Sequence, residues 1–410
     1  MRHHPSRPPV DGRRTRTLAR TLARALRLGA ALALAPALVT AVHAQLPYPR
    51  LTSLFPCAAP AGSTVTVSVT GADLDEPAGL LASHPGLRAT PAENGTFRIE
   101  IATNTPAGPV ELRWWGRFGA SAPRVFLVTD QPVATPTPTN TSPAAAFPLA
   151  PGTSAQGRLA AGQRHWFVIP GKAGQPLRVR VQSAELDSRL DPEVFALGPD
   201  GQELRRTRGT GRLECVPPTD GPCRVAVHDR LFRGGDDYPY RLLVDPGPWL
   251  DFAVPAAVRP GTNRVRLFGR GLPGSQPSPF SSPDGLPLGQ VEVDVLVPAS
   301  PPDIRPGVAR RPSMAALDLL PWHGSGTPAA STPLLLAWTT LPVTAAPAPG
   351  VQPFTPPGVF SAPFPRRGEG SGISFHARKG EVWWLELAGE RLGFPADPHG
   401  LVQRQTQPAA

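Results

Sequence analysis

The sequence predicts an all-β chain, built as tandem antiparallel β-sandwiches joined by proline-rich linkers. Three observations lead there. Gly (41) and Pro (56) make up close to a quarter of the 410 residues. Proline costs ~3 kcal/mol inside a helix and removes a donor from a strand ladder, so regular structure must come in short pieces. Short runs of alternating apolar and polar residues recur between Pro/Gly turns, the pattern of half-buried strands. Finally, a stretch near residue 160 returns at a fixed offset near residue 366. Bundles, coiled coils and doubly wound sheets are incompatible with this proline content.

Residues 1–44 read as an export signal. Eight arginines against one aspartate precede a run without Lys, Arg, Asp or Glu over 28–44, with the apolar core AALALAPALV at 30–39. Val42-His43-Ala44 places small residues at the −3 and −1 positions for cleavage before Gln45. The apolar run is shorter than the ~20 residues of a membrane span, so removal is favoured over anchoring. Most of the net charge of +10 sits in this segment. The remainder is only mildly basic, and no later segment is apolar enough to span a membrane.

The first unit, 46–130, has alternating strands at 64–70 (TVTVSVT), 97–101 (FRIEI), 110–115 (VELRWW) and 124–128 (RVFLV). Strands at this turn-punctuated spacing suggest an immunoglobulin-like sandwich. A Pro/Thr-rich linker at 131–150 reads as extended by composition. The second unit, 151–246, carries strands at 165–169, 177–181, 193–197, 224–227 and 240–244, a further sandwich or jelly roll. The third, 247–350, is an Ig-like unit with strands at 263–268 and 291–297, an apolar run LLLAW at 334–338, and a Pro-rich insertion expected to be poorly ordered around 299–330.

The last unit, 360–410, begins a second copy of the second. At an offset of 206, Gly162 matches Gly368, Gly174 matches Gly380, Leu186 matches Leu392, Asp191 matches Asp397 and Pro192 matches Pro398, while Leu177, Val179 and Val181 fall on Trp383, Leu385 and Leu387. A full copy would run well past Ala410, so the sequence is expected to be a fragment or a truncated product.

These residues resemble a known family. Gly162-Gln-Arg-His-Trp-Phe-Val168, Lys172-Ala-Gly-Gln175, Ala184-Glu-Leu-Asp-Ser188, Leu190-Asp-Pro192, Pro199-Asp-Gly201, Thr219-Asp-Gly221, His228-Asp229 and Tyr238-Pro-Tyr-Arg241 are similar to the bacterial pre-peptidase C-terminal (PPC) domain. The layout, with an Ig-like unit ahead of it, resembles planctomycete-type secreted multidomain proteins. The resemblance implies an exported, non-catalytic accessory or adhesive module without an active site.

Candidate chemistry is sparse. Cys215 and Cys223 flank VPPTDGP, a turn sequence that would let the sulfurs meet across a hairpin as a disulfide in an oxidising compartment, leaving Cys57 free. Asp229, Asp236 and Asp237 cluster in one loop, and loop carboxylates suit a hard cation such as Ca²⁺; Arg230 and Arg233 stand beside them as competing partners. No other cofactor is indicated. Trp114-Trp115 and Trp383-Trp384 are adjacent pairs on strands, so one of each pair faces the core and the other solvent; Trp115 and Trp384 are the candidate exposed platforms for binding. Gly269-Arg-Gly-Leu-Pro-Gly274 fits G-x-G-x-x-G, but Pro273 and the Ser/Pro run behind it deny the helix that a dinucleotide needs. His165, His228 and His376 read as structural or surface residues. The Arg-rich run at 203–208 lacks an aromatic platform, and export removes nucleic acid as a partner.

The functional expectation is a secreted, periplasmic or cell-surface binding and structural module without catalysis, its partner an extracellular protein or polysaccharide. Two alternatives stand beside it: the accessory region of a secreted peptidase or other hydrolase, and a carbohydrate-binding surface protein.

Overall fold

The structure, a computed structural model, describes residues 47–136, 139–245, 247–301, 318–324, 333–346, 350–363, 370–394 and 399–404. The segment expected to be an export signal, 1–44, lies outside these residues, as does most of the insertion expected over 299–330. The chain divides into two compact units, and every described strand lies in the second, Tyr48–Ala410. No α-helix occurs among the described residues. The all-β expectation therefore holds, and tandem sandwiches make up this unit.

The first sandwich contains β1 (Arg50–Phe55), β2 (Ala58–Pro60), β3 (Thr64–Ala72), β4 (Pro77–Ala82), β5 (Leu87–Pro91), β6 (Thr96–Ile101), β7 (Gly108–Gly116), β8 (Gly119–Ala120) and β9 (Arg124–Thr129). Instead of two separate sheets, they form one nine-stranded sheet in the order β1-β3-β6-β5-β4-β7-β9-β2, with β8 beside β7. β1 and β2 lie at its two ends yet follow each other in the chain, so the sheet curls back on itself. Phe97, Ile99 and Ile101 alternate inward along β6 and join Trp114, Phe126 and Leu112 in the core.

The second sandwich adds β10 (Val133–Ala134), β11 (Phe147–Pro148), β12 (Ser154–Arg158), β13 (His165–Gly171), β14 (Leu177–Gln182), β15 (Pro192–Leu197), β16 (Glu203–Arg208), β17 (Arg212–Cys215), β18 (Gly221–Asp229) and β19 (Pro239–Val244). Two sheets, β10-β12-β19-β14-β17 and β11-β13-β18-β15-β16, enclose a core that includes Phe167, Val179, Val225 and Tyr240. The Pro/Thr-rich linker is not merely extended. Val133–Ala134 and Phe147–Pro148 add parallel edge strands to the two sheets.

The third unit contains β20 (Trp249–Val254), β21 (Ala257–Val258), β22 (Gly261–Arg270), β23 (Gln276–Ser281), β24 (Pro287–Val297), β25 (Leu319–Trp322) and β26 (Leu334–Trp338), in sheets β20-β22-β24-β23 and β21-β26-β25. β25 lies inside the stretch expected to be unstructured; its four residues pair with the apolar run of β26. β27 (Val343–Ala345), β28 (Gly350–Pro353), β29 (Val359–Ser361) and β30 (Ser371–Ser374) follow as two parallel pairs, β27 with β29 and β28 with β30.

The duplication is wider than the sequence suggested, because the first unit repeats in the third. β1 and β3 pair through a bulge between Leu51 and Ser53, and β20 and β22 through a bulge between Leu250 and Phe252. At each bulge a glycine is required. A Cβ on Gly71 would stand 2.0 Å from the Arg50 carbonyl oxygen, and one on Gly269 would stand 2.1 Å from that of Trp249. Gly269 of the nucleotide-like motif is thus a bulge glycine. β2 runs parallel to β9 as β21 does to β26, and Leu127 N–H donates to Cys57 O as Ala337 N–H donates to Ala256 O.

The fourth unit repeats the start of the second. The parallel pairs β10·β12 and β11·β13 return as β27·β29 and β28·β30. The 3₁₀ turn at Ala184–Leu186 returns, at the offset of 206, at Glu390–Leu392. Even the docking of one unit on the next recurs. Leu186 is buried against Cys57, Ala58, Val125 and Leu127; Leu392 is buried against Ala257, Leu319 and Ala337. Gln156 Oε1 accepts from Cys57 N (2.8 Å), and Ser361 Oγ accepts from Ala256 N (2.8 Å).

Among the described residues of the fourth unit, only part forms strands. Residues 383–388, which match β14, have no regular structure. In the first copy β14 lies between β19 and β17, both later in sequence, whereas β10 to β13 contain pairs that need nothing downstream. The strands present in the second copy are those that pair with one another within its first stretch.

Candidate functional site: the open face around Trp115

β7 alternates as the sequence predicted: Trp114 is in the core and Trp115 is 41% exposed. Trp115 stands just before the turn that leads into β8, paired with Gly79 of β4 on one side and Ala120 of β8 on the other. Gly79 makes the placement of the indole possible, since a Cβ there would be 2.9 Å from Trp115 Nε1. The ring therefore leans over bare backbone, with no neighbouring side chain at that position.

Because strand side chains alternate, Arg113 and Glu111 share the face of Trp115. They form a loose ion pair at 3.8 Å, and Leu81, opposite Arg113, is exposed beside them. The result is a flat apolar ring flanked by a guanidinium and a carboxylate. An indole face packs on apolar C–H surface, and its flankers supply hydrogen-bond donors and acceptors. Sequence reading identified Trp115. Arg113, Glu111 and Gly79 were missed, although strand parity alone finds the first two.

Trp384 is also exposed, at 88%, but Trp383 is not in a core either. Trp383 meets Phe375 edge-on at 5.7 Å, and neither tryptophan lies on a strand. The expected inward/outward alternation fails here because the strand that would impose it does not form.

The three aspartates are not assembled into a metal site. Asp229 is buried and shapes its loop: Oδ1 accepts from Asp191 N, and Oδ2 accepts from Leu231 N and Arg233 N. Asp236 pairs with Arg158 at 2.6 Å and Asp237 with Arg189 at 3.3 Å. Their partners come from other strands and loops, not from Arg230 and Arg233 as the sequence implied. Among the described residues no group of acidic, His or Cys side chains could hold a metal ion.

The disulfide expected between Cys215 and Cys223 is absent. Both are free thiols, as is Cys57. The physical reason is topological. β17 and β18 do not form a hairpin but belong to opposite sheets, so the two side chains enter the shared core from its two sides. Burial pushes the Cys57 and Cys215 thiols up to about 12 and raises that of Cys223. His165 is buried with Nδ1 2.7 Å from Tyr240 Oη, and burial lowers its pKa to about 4. His228 is buried and stacks on Phe232 at 4.4 Å; His376 is exposed.

No family model and no curated protein matches this chain. Among solved structures, SGBP-B of a Bacteroides ovatus mixed-linkage glucan utilization locus, in complex with a mixed-linkage heptasaccharide, is 8% identical, with 42% of this chain and 72% of that one covered and a TM-score of 0.16. SGBP-B from a complex xyloglucan utilization locus in Bacteroides uniformis is 14% identical over 48% of this chain and 71% of that one, with a TM-score of 0.18. A Salmonella alpha-2-macroglobulin mutant is 14% identical over 60% of this chain and 20% of that one, at 0.17. Likeness of this degree carries no statement about function. No helix among the described residues is long and apolar enough to cross a membrane.

Proposed function

We propose that this chain is an exported, non-catalytic binding module that presents the Trp115 face to an extracellular polysaccharide. One observation carries the reading: an indole held open over Gly79, with Arg113 and Glu111 on the same strand face. That combination matches the needs of a sugar ring, which has an apolar face and hydroxyl edges. The joints between units serve the same end, because a binding face is useful at a surface only when the units beneath it hold their places. Gln156 fastens the first sandwich to the second with hydrogen bonds to Cys57 N, Ala58 N and Ala58 O.

Affinity electrophoresis through gels containing neutral and acidic polysaccharides tests this. At least one polysaccharide should retard the wild type. Trp115→Ala should weaken that retention by about tenfold, the scale expected for one lost stacking contact together with its buried area. Trp384→Ala, run alongside, tests the other tryptophan. Equal migration of wild type and Trp115→Ala in every gel refutes the assignment of the site.

A further inference from the structure

The loop between β18 and β19 holds an apolar tip in solvent. Leu231 is 64% exposed, and Phe232 beside it 38%. The tip is firmly built. The buried Asp229 carboxylate accepts Leu231 N–H at 2.9 Å and Arg233 N–H at 3.0 Å. Phe232 N–H donates to Asp229 O (2.8 Å), and Phe232 O accepts from Gly162 N–H (2.9 Å). Phe232 has a φ of 54°, in the left-handed region that a bulky side chain rarely adopts. Its ring is clamped there, stacked on His228 at 4.4 Å with the Arg164 guanidinium 5.0 Å from its centroid. A strained backbone fixed by so many contacts keeps Leu231 in water, where internal packing gives it no role.

The charges around the tip say what it meets. Arg230 pairs with Asp191 at 3.8 Å, and Asp236 and Asp237 are taken by Arg158 and Arg189. The Asp229 carboxylate is buried and occupied by backbone N–H groups. Arg164 and Arg233 are left, both exposed and without a carboxylate partner among the described residues. The free charge at the surface of the tip is therefore positive. Arg164 and Phe232 lie over Phe195 of β15 and His228 of β18, in one sheet, whereas the first sandwich docks on Gln156 of β12, in the other. The tip stands clear of that joint. Two apolar side chains cannot supply the ~800 Å² per partner of a standard protein interface. A bilayer needs less: apolar side chains to enter the headgroup region and cations to meet anionic lipids.

We propose that this loop docks the protein on an anionic lipid surface. Leu231 and the exposed edge of Phe232 enter the headgroup region, and Arg164 and Arg233 meet lipid phosphates, which suit an arginine fork. So small a tip gives peripheral, reversible contact. The proposal does not depend on the Trp115 reading, because the loop belongs to the second sandwich and uses other chemistry.

Flotation of the whole protein with vesicles at low salt provides the test. One set is phosphatidylcholine alone; the other is an equal mixture of phosphatidylcholine and phosphatidylglycerol. Binding to the mixed vesicles should exceed binding to the neutral ones by about tenfold and weaken as salt is raised. Leu231→Asp should lower the bound fraction severalfold without lowering the melting temperature, because the side chain it replaces is mostly in water. Leu231→Trp should keep binding and, in difference spectra against the wild type, emit further to the blue with mixed vesicles only. Arg164→Gln with Arg233→Gln should remove the preference for the mixed vesicles. Val382→Lys with Leu385→Lys should float as the wild type does, which separates this loop from the other exposed apolar segment. Absence of binding to the mixed vesicles overturns the proposal. So does equal binding to both vesicle types, or equal binding of wild type and Leu231→Asp. A soluble protein that binds through Leu231 while no vesicle does also overturns it and assigns the tip to a protein partner.

Discussion

Cys57, Cys215 and Cys223 are all free and buried. The attacking species in thiol chemistry is the thiolate, which burial suppresses here. A thiol reagent such as DTNB should therefore modify none of the three in the folded protein and all three in denaturant. A single reactive thiol in denaturant would mean that Cys215 and Cys223 are joined in the native protein. His165 makes a second prediction at this scale. Its folded pKa is about 4, against ~6.5 in an unfolded chain, so between those values the unfolded state takes up a proton that the folded state refuses. Stability contributed by neutral His165 is complete above pH 6.5 and falls as pH drops towards 4, by on the order of 3 kcal/mol. His165→Asn retains a polar partner for Tyr240 and should flatten that part of the pH–stability curve. An unchanged slope in urea melts between pH 6.5 and 4.5 would contradict this account.

At the scale of elements, the joint between the first two sandwiches rests on Gln156. Its amide is buried and fully used: Oε1 takes Cys57 N and Ala58 N, and Nε2 reaches Ala58 O and Thr135 Oγ1. Gln156→Ala leaves three backbone groups without partners and should cost about 3 kcal/mol or more, since each orphaned buried group costs ~1–3 kcal/mol. The repeated joint uses the single Ser361 hydroxyl, so Ser361→Ala should cost only about 1 kcal/mol. Melting curves of the two variants should differ in that order, and equal losses would deny Gln156 its special position. Strands such as β3 and β6 were legible in the sequence because alternation over five or more positions is a strong signal. Strands of two or three residues, such as β2, β10 and β21, carry no alternation, and they make the parallel pairings that join units. The Trp115 face was legible from strand parity. Gly79 beneath it was not, because the pairing of β4 with β7 joins strands far apart in sequence.

At the scale of the whole molecule, the described residues hold a pair of units in full and the first strands of a second such pair. The strands of the second copy that found partners are those paired within its own first stretch. Sequence matching β14 remains outside any sheet, and its apolar residues Trp383, Leu385 and Leu387 are exposed, as are Trp384 beside them and Val382 just ahead of them, at 95%. In the first copy the matching Leu177, Val179 and Val181 are core residues. Residues selected for a core but left in water are both apolar and β-prone, and such a segment pairs with any edge it meets. The 410-residue chain should therefore self-associate in a concentration-dependent way. Val382→Lys with Leu385→Lys should suppress that association without changing the melting temperature, since neither residue belongs to a described core cluster and so little folded structure is at stake. Light scattering across a dilution series reads the outcome. Association that persists in the double variant would place the sticky surface elsewhere, and a lowered melting temperature would mean that 382–387 is packed against the rest of the chain after all.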